Sequence, residues 1–131
     1  MEWKDSMKSG MSDLDEMYQK TFANVNAILR DMNMSRNAVD VQNNIERIKK
    51  EFIELFSYQE SLMIMNKYPQ YYQHKHHHEQ FIDGMDSFIR RADDDYFGCN
   101  ASSVEKVIND WVMKHIFMYD KLYTKFTAKT K

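Results

Sequence analysis

His74-Lys75-His76-His77-His78-Glu79-Gln80-Phe81-Ile82-Asp83-Gly84-Met85-Asp86-Ser87-Phe88-Ile89 repeats its bulky groups at spacings of three and four residues. His74, His78, Phe81, Ile82, Met85, Phe88 and Ile89 therefore share one stripe of an α-helix, the face that a helical protein buries. Two imidazoles stand where a core would ordinarily carry Leu or Phe. At i, i+4 they lie about 40° apart round the helix, close enough to grip one ion. The pair alone is weak, because a histidine-dense segment also reads as a surface tract. His76 points away from this face and His77 sits at its margin. Both are expected to face solvent, with no native role.

The same periodicity extends on either side of this segment. Leu14, Tyr18, Phe22, Val25, Ile28, Leu29 and Met32 mark a first helix over about 13 to 32, with Tyr18 turned inward. Ser35 can cap a second, whose stripe of Val41, Ile45, Ile48, Phe52, Leu55, Gln59 and Leu62 runs to about Asn66. Gln59 is the polar exception on it. Pro69 suits the first turn of the third helix, which stops before the acidic run Asp93, Asp94 and Asp95. Beyond a loop at Gly98, Ser102 and Glu105 read as a capping box. They open a fourth helix with Val104, Ile108, Trp111, His115, Met118 and Leu122 inward. His115 brings a third imidazole to the common core. Any one buried imidazole can be a core hydrogen-bonding group, but three converging on one core point to a metal site.

With only three Gly and one Pro in 131 residues, long helices are favoured over turn-linked strands. That length suits a single domain spanning 1–131, burying about two-thirds of its unfolded surface. Connections of about 3 to 9 residues set consecutive helices antiparallel. The expected fold is all-α, an up-down-up-down antiparallel four-helix bundle. Eleven Met, eight Phe and eight Tyr at helical spacing read as a deformable core.

Several function classes fall away. A formal charge of −2 with scattered basic residues leaves no footprint for nucleic acid, and Lys121, Lys125, Lys129 and Lys131 read as a solvated helix end that complements the macrodipole. No apolar run reaches membrane-spanning length. Lone Cys99 makes no internal disulfide and has no base at a motif spacing, so a catalytic thiol is unsupported. With no secretory leader recognised, the cytoplasm is the expected compartment.

The chain also resembles the hemerythrin family along nearly its whole length. Trp3, Gly10, Asp15, Phe22 and Asn26 are similar to the family's opening block. Phe56, Glu60, Met63 and Tyr68-Pro69, followed by His74-x-x-x-His78-x-x-Phe81, resemble its central signature. Trp111, His115, Ile116 and Asp120 resemble its closing block. The resemblance implies a four-helix bundle in which five histidines and two bridging carboxylates hold two irons, one of which binds dioxygen.

On that resemblance four of seven ligand positions survive. His74, His78 and His115 match the three histidines of one iron, and Asp120 a bridging aspartate. Tyr18 and Leu55 occupy the two histidine positions of the other iron, and Gln59 replaces the bridging glutamate. Asp120, at i, i+5 from His115, lies about 140° round an ideal helix, so its ligand role comes from the resemblance alone.

Leu55 has no donor atom and Gln59 only a neutral carbonyl where two divalent ions need anionic charge. The expectation is therefore one metal held by His74, His78, His115 and Asp120, with water, Gln59 or Tyr18 completing the shell. Iron is favoured, with zinc or manganese compatible with the donors. Such a protein would bind or sense a metal, with dioxygen or another diatomic ligand as its partner. Reversible oxygen carriage would be absent or altered, since one iron cannot supply both electrons of a peroxide-level ligand.

Two alternatives stand beside this. One is a metal-free interaction or structural module. The other is a di-iron oxygen binder with Tyr18 as substitute ligand, opposed by Tyr18 simply donating a hydrogen bond to Gln59 or Asp120. With no general base or substrate pocket at a recognisable spacing, the protein is not expected to be an enzyme.

Overall fold

The computed structural model describes residues 1–130, Thr130 by its backbone; Lys131 of the basic C-terminal run lies outside the described residues. After a 3-10 turn at Asp5–Met7 come α1 (Ser12–Met32), α2 (Ala38–Met65), α3 (Tyr71–Asp95) and α4 (Ala101–His115). A π-helical turn, Ile116–Asp120, joins α4 without interruption to α5 (Lys121–Thr130). The protein is all-α. Helix α2 packs along both α1 and α3, and α4 touches both α1 and α3, so the helices form a bundle. No helix among the described residues is long and apolar enough to cross a membrane.

Burial follows the stripes. Every apolar residue expected inward on α1, from Leu14 to Met32, is buried, as are Val41, Ile45, Ile48, Phe52 and Leu55 on α2. Phe81, Met85 and Phe88 on α3 join Val104 and Ile108 on α4 in the same core. Each such side chain contributes roughly 1.5–3 kcal/mol by leaving water. The stripes therefore set the helix orientations in which His74, His78 and Gln59 are carried inward with them.

Helix ends depart from the expected caps. Asn37, not Ser35, opens α2, its side chain accepting from Asp40 N at 2.9 Å. Ser35 Oγ is buried without a partner. Asn100 likewise opens α4 by accepting from Ser103 N at 2.9 Å, so Ser102 and Glu105 form no capping box. In both cases Asn, a strong N-cap, stands two residues from the Ser that could serve. Which one caps depends on where tertiary packing starts the helix.

Pro69 falls outside α3. Tyr71 N bonds Tyr68 O at 3.2 Å, so Pro69 takes the second position of a β-turn, which its fixed φ suits. Lys67, at φ 53°, adopts the left-handed conformation that ends α2. The acidic run is the last turn of α3 and not a loop. Its carboxylates have local partners: Gln42 Nε2 donates to Asp93 Oδ1 at 2.8 Å and Gly98 N to Asp95 Oδ1 at 3.0 Å. A Cβ at Gly98 would lie 2.2 Å from Asp95 Oδ2, so a larger residue there would have to displace the Asp95 side chain.

The largest departure is the π turn. Lys121 N bonds Ile116 O, five residues back, which adds one residue to a helical turn. Every later position is thereby rotated. Met118 and Leu122, expected inward, are 56% and 50% exposed, and Tyr123 is fully buried in their stead. Tyr123 packs with Met63 and Tyr68, and its hydroxyl accepts from Asn66 Nδ2 at 2.8 Å.

Replacing Asn37 by Ala should lower stability by about 1 kcal/mol in urea unfolding, whereas Ser35→Ala, which removes no bond, should leave it within about 0.5 kcal/mol. The reverse order would return the cap to Ser35.

Candidate metal centre

Five helical segments contribute to one buried point. Helix α3 supplies His74 and His78 one turn apart, α4 ends on His115, the π turn supplies Asp120, α2 supplies Gln59 and α1 supplies Tyr18. All six side chains are buried. Asp120 arrives because of the extra residue in the π turn. On an unbroken α-helix it would point well away from His115; here its Oδ1 lies 2.9 Å from His115 Nε2.

The three imidazoles aim Nε2 inward. His115 Nε2 lies 3.1 Å from both His74 Nε2 and His78 Nε2. Gln59 Oε1 lies 2.9 Å from His78 Nε2, 3.0 Å from His74 Nε2 and 3.5 Å from His115 Nε2. Asp120 Oδ1 is 3.1 Å from His74 Nε2. Donors about 2.1 Å from one ion and at right angles to each other would be spaced by about 3.0 Å. The separations among the imidazole nitrogens and Asp120 Oδ1 given above match that spacing, and Gln59 Oε1, 3.5 Å from His115 Nε2, sits more loosely; three nitrogens, a carboxylate oxygen and an amide carbonyl form a chemically coherent donor set. Among the described residues, His74, His78 and His115 form the group of His, Cys or acidic side chains able to hold an ion.

Electrostatics keep the donors ready. Burial, aided by the neighbouring imidazoles, holds the pKa of His78 far below its ordinary value. Burial also lowers that of His115, against the pull of Asp120. Both rings are neutral near pH 7 and their nitrogens can bind a cation. Burial alone would raise the Asp120 pKa, but His115 and His74 hold the carboxyl well below the usual range. Asp120 is thus the anion of the cluster.

Tyr18 and Gln59 fix that carboxylate. The Tyr18 hydroxyl donates to Asp120 Oδ2 and Gln59 Nε2 donates to Oδ1 at 2.8 Å. The latter bond turns the Gln59 carbonyl toward the imidazoles. Burial and the adjacent Asp120 push the Tyr18 phenol well above its ordinary pKa, so it keeps its proton. Leu55 is fully buried core.

The outer nitrogens differ in their partners. His78 Nδ1 lies 2.7 Å from Glu60 Oε2, and Phe56 stacks on the ring at 4.0 Å between centroids. His115 Nδ1 lies 2.8 Å from His77 Nδ1. His74 Nδ1 is buried with no partner. The expectation that His77 faces solvent is therefore wrong: it is 5% exposed and sandwiched between Trp111, at 4.6 Å, and Tyr119, at 4.0 Å. Its position one residue from His78 and three from His74 is the signal that the stripe omitted. His76 is exposed, as expected.

No family model, curated protein or solved structure matches the chain. Its chemistry has to be read from the site.

Two outcomes follow from this geometry. Tyr18→Phe removes one of the donors to a buried carboxylate and should cost about 1–3 kcal/mol in chemical unfolding. In the metal-free protein, His77, His78 and His115 bind protons less readily folded than unfolded, His77 with its pKa lowered by burial to about 4. The unfolded chain gains protons first, so the thermal midpoint should fall as pH drops below about 6.5. Asp120, whose pKa is depressed, adds to the loss once pH falls below its ordinary unfolded value. A midpoint that rises on going from pH 7 to pH 5 would contradict this assignment.

Proposed function

We propose that the protein binds one metal ion through His74, His78, His115 and Asp120, with Gln59 at the edge of the shell, and acts as a non-haem iron or zinc binding or sensing protein. The observation that carries this reading is the convergence of three Nε2 atoms and Asp120 Oδ1 in a buried core, at the spacing of cis ligands. Three imidazoles and a carboxylate suit ferrous iron, zinc or manganese. The bound ion would supply Lewis acidity and, if iron, a redox centre open to a diatomic ligand. A cavity of about 220 Å³ lined by His74, Tyr68, Met118, Tyr119 and Leu122 offers such a ligand an approach.

The resemblance to hemerythrins supports the same reading. So do the short links and the order in which neighbouring helices pack, which fit an up-down-up-down antiparallel bundle. A second iron is disfavoured by Leu55, which has no donor, and by Tyr18, whose proton is committed to Asp120. One iron cannot supply the two electrons of a peroxide-level oxygen complex, so ordinary oxygen carriage is absent or altered. The metal-free module stands as the second reading, favoured by how fully Asp120 is satisfied within the protein.

Elemental mass spectrometry on untagged protein, purified without a metal column, should find about one iron or zinc per chain, falling to background in His78→Ala. Two irons with an oxygen-sensitive spectrum would support the di-iron alternative. No uptake after anaerobic iron addition would leave the metal-free module.

A further inference from the structure

The three imidazoles are held from behind in three different ways. His78 backs onto a carboxylate, His115 onto a second imidazole, and His74 onto nothing. The His115 contact is unusual in that both atoms, His115 Nδ1 and His77 Nδ1, are 2.8 Å apart, so one proton must lie between them. Which ring owns it is decided at the other end of His115. Without an ion, His115 Nε2 faces the ionised Asp120 Oδ1 at 2.9 Å and donates to it. A neutral His115 protonated at Nε2 has a bare Nδ1, so the shared proton belongs to His77.

An ion at the centre reverses this. It takes the Nε2 lone pair, and a neutral His115 then carries its hydrogen on Nδ1, which must donate to His77 Nδ1. His77 must in turn hold its own hydrogen on Nε2. Among the described residues that nitrogen bonds no protein group, and it is not one of the buried unpartnered atoms, so gaining a hydrogen there breaks no protein contact. His77 cannot tilt to avoid the exchange, since Trp111 and Tyr119 stack on its faces at interplanar angles of 18° and 10°.

We propose that His77 is a positioning residue that exchanges tautomers with His115 when the site takes up an ion, rests as a hydrogen-bond acceptor behind that ligand, and thereby sets its orientation. This rests on the metal-binding reading of the same site. The proton count balances. The empty pair carries hydrogens on His115 Nε2 and His77 Nδ1; the loaded pair carries them on His115 Nδ1 and His77 Nε2. The His77 Nδ1 proton passes to His115 Nδ1, the displaced His115 Nε2 proton leaves to solvent, and His77 Nε2 takes one proton from solvent. Neither ring changes charge. Glu60, which only accepts when ionised, gives His78 no comparable exchange.

Zinc is the suitable probe because it is diamagnetic and redox-inert. Long-range proton–nitrogen NMR of ¹⁵N-labelled, untagged protein should show the His115 hydrogen on Nε2 and the His77 hydrogen on Nδ1 before zinc, and both positions exchanged after one equivalent. In His77→Phe, which keeps an aromatic ring between Trp111 and Tyr119 but accepts nothing, zinc affinity should fall by roughly 10–100-fold at unchanged stoichiometry. His77→Gln, whose carbonyl can accept from His115 Nδ1, should regain most of it; a purely packing role would favour Phe over Gln. Zinc bound with both tautomers unchanged, or wild-type affinity in His77→Phe, overturns the role of His77 and leaves the site standing. Wild-type protein that takes up neither zinc nor iron overturns both.

Discussion

A buried carboxylate organises this core. Asp120 is 4% exposed, and an isolated anion at that depth would be far costlier than the few kcal/mol by which a domain is stable. It is tolerated because donors from three other helices reach it: Tyr18 on α1, Gln59 on α2, and His74 on α3, together with His115 one π turn away. Each donor is also held by its own helix's apolar stripe. The packing of the bundle and the polarity of its centre therefore depend on each other, and a shift of any one helix takes a donor from the carboxylate.

The π turn solves a geometric problem. His115 and Asp120 must both face the centre, yet five residues of ordinary α-helix turn them apart. One additional residue per turn brings them together and simultaneously moves Met118 and Leu122 outward and Tyr123 inward. The π turn thus coincides with the site it serves, as π turns in other helices frequently do.

Tyr18, Leu55 and Gln59 act as a set around the imidazoles. Gln59 uses its amide hydrogens on Asp120 and so presents its oxygen to the imidazoles. Tyr18 supplies a hydroxyl to the far carboxylate oxygen, and Leu55 closes the remaining space with apolar surface. Together they leave one cluster of nitrogens beside one anion, a group that could hold a metal ion. Behind the cluster, a carboxyl group backs His78 and a second imidazole backs His115, so the imidazoles are unequally supported.

Much of this was legible in the residues. Periodicity of 3.6 is a local property, and it placed four helices, their buried stripes and His74, His78, His115, Gln59 and Tyr18 inward, because each stripe is set by its own helix. What depends on contacts between helices was not legible. The choice of Asn37 and Asn100 as caps, the packing of His77 between Trp111 and Tyr119, and the pairing of Glu60 with His78 follow from where neighbouring helices come to rest. Asp120 is the clearest case. An α-helical reading turns it away from the site, and only the tertiary structure, by making a turn one residue longer to satisfy a buried charge and bury Tyr123, brings it to His115.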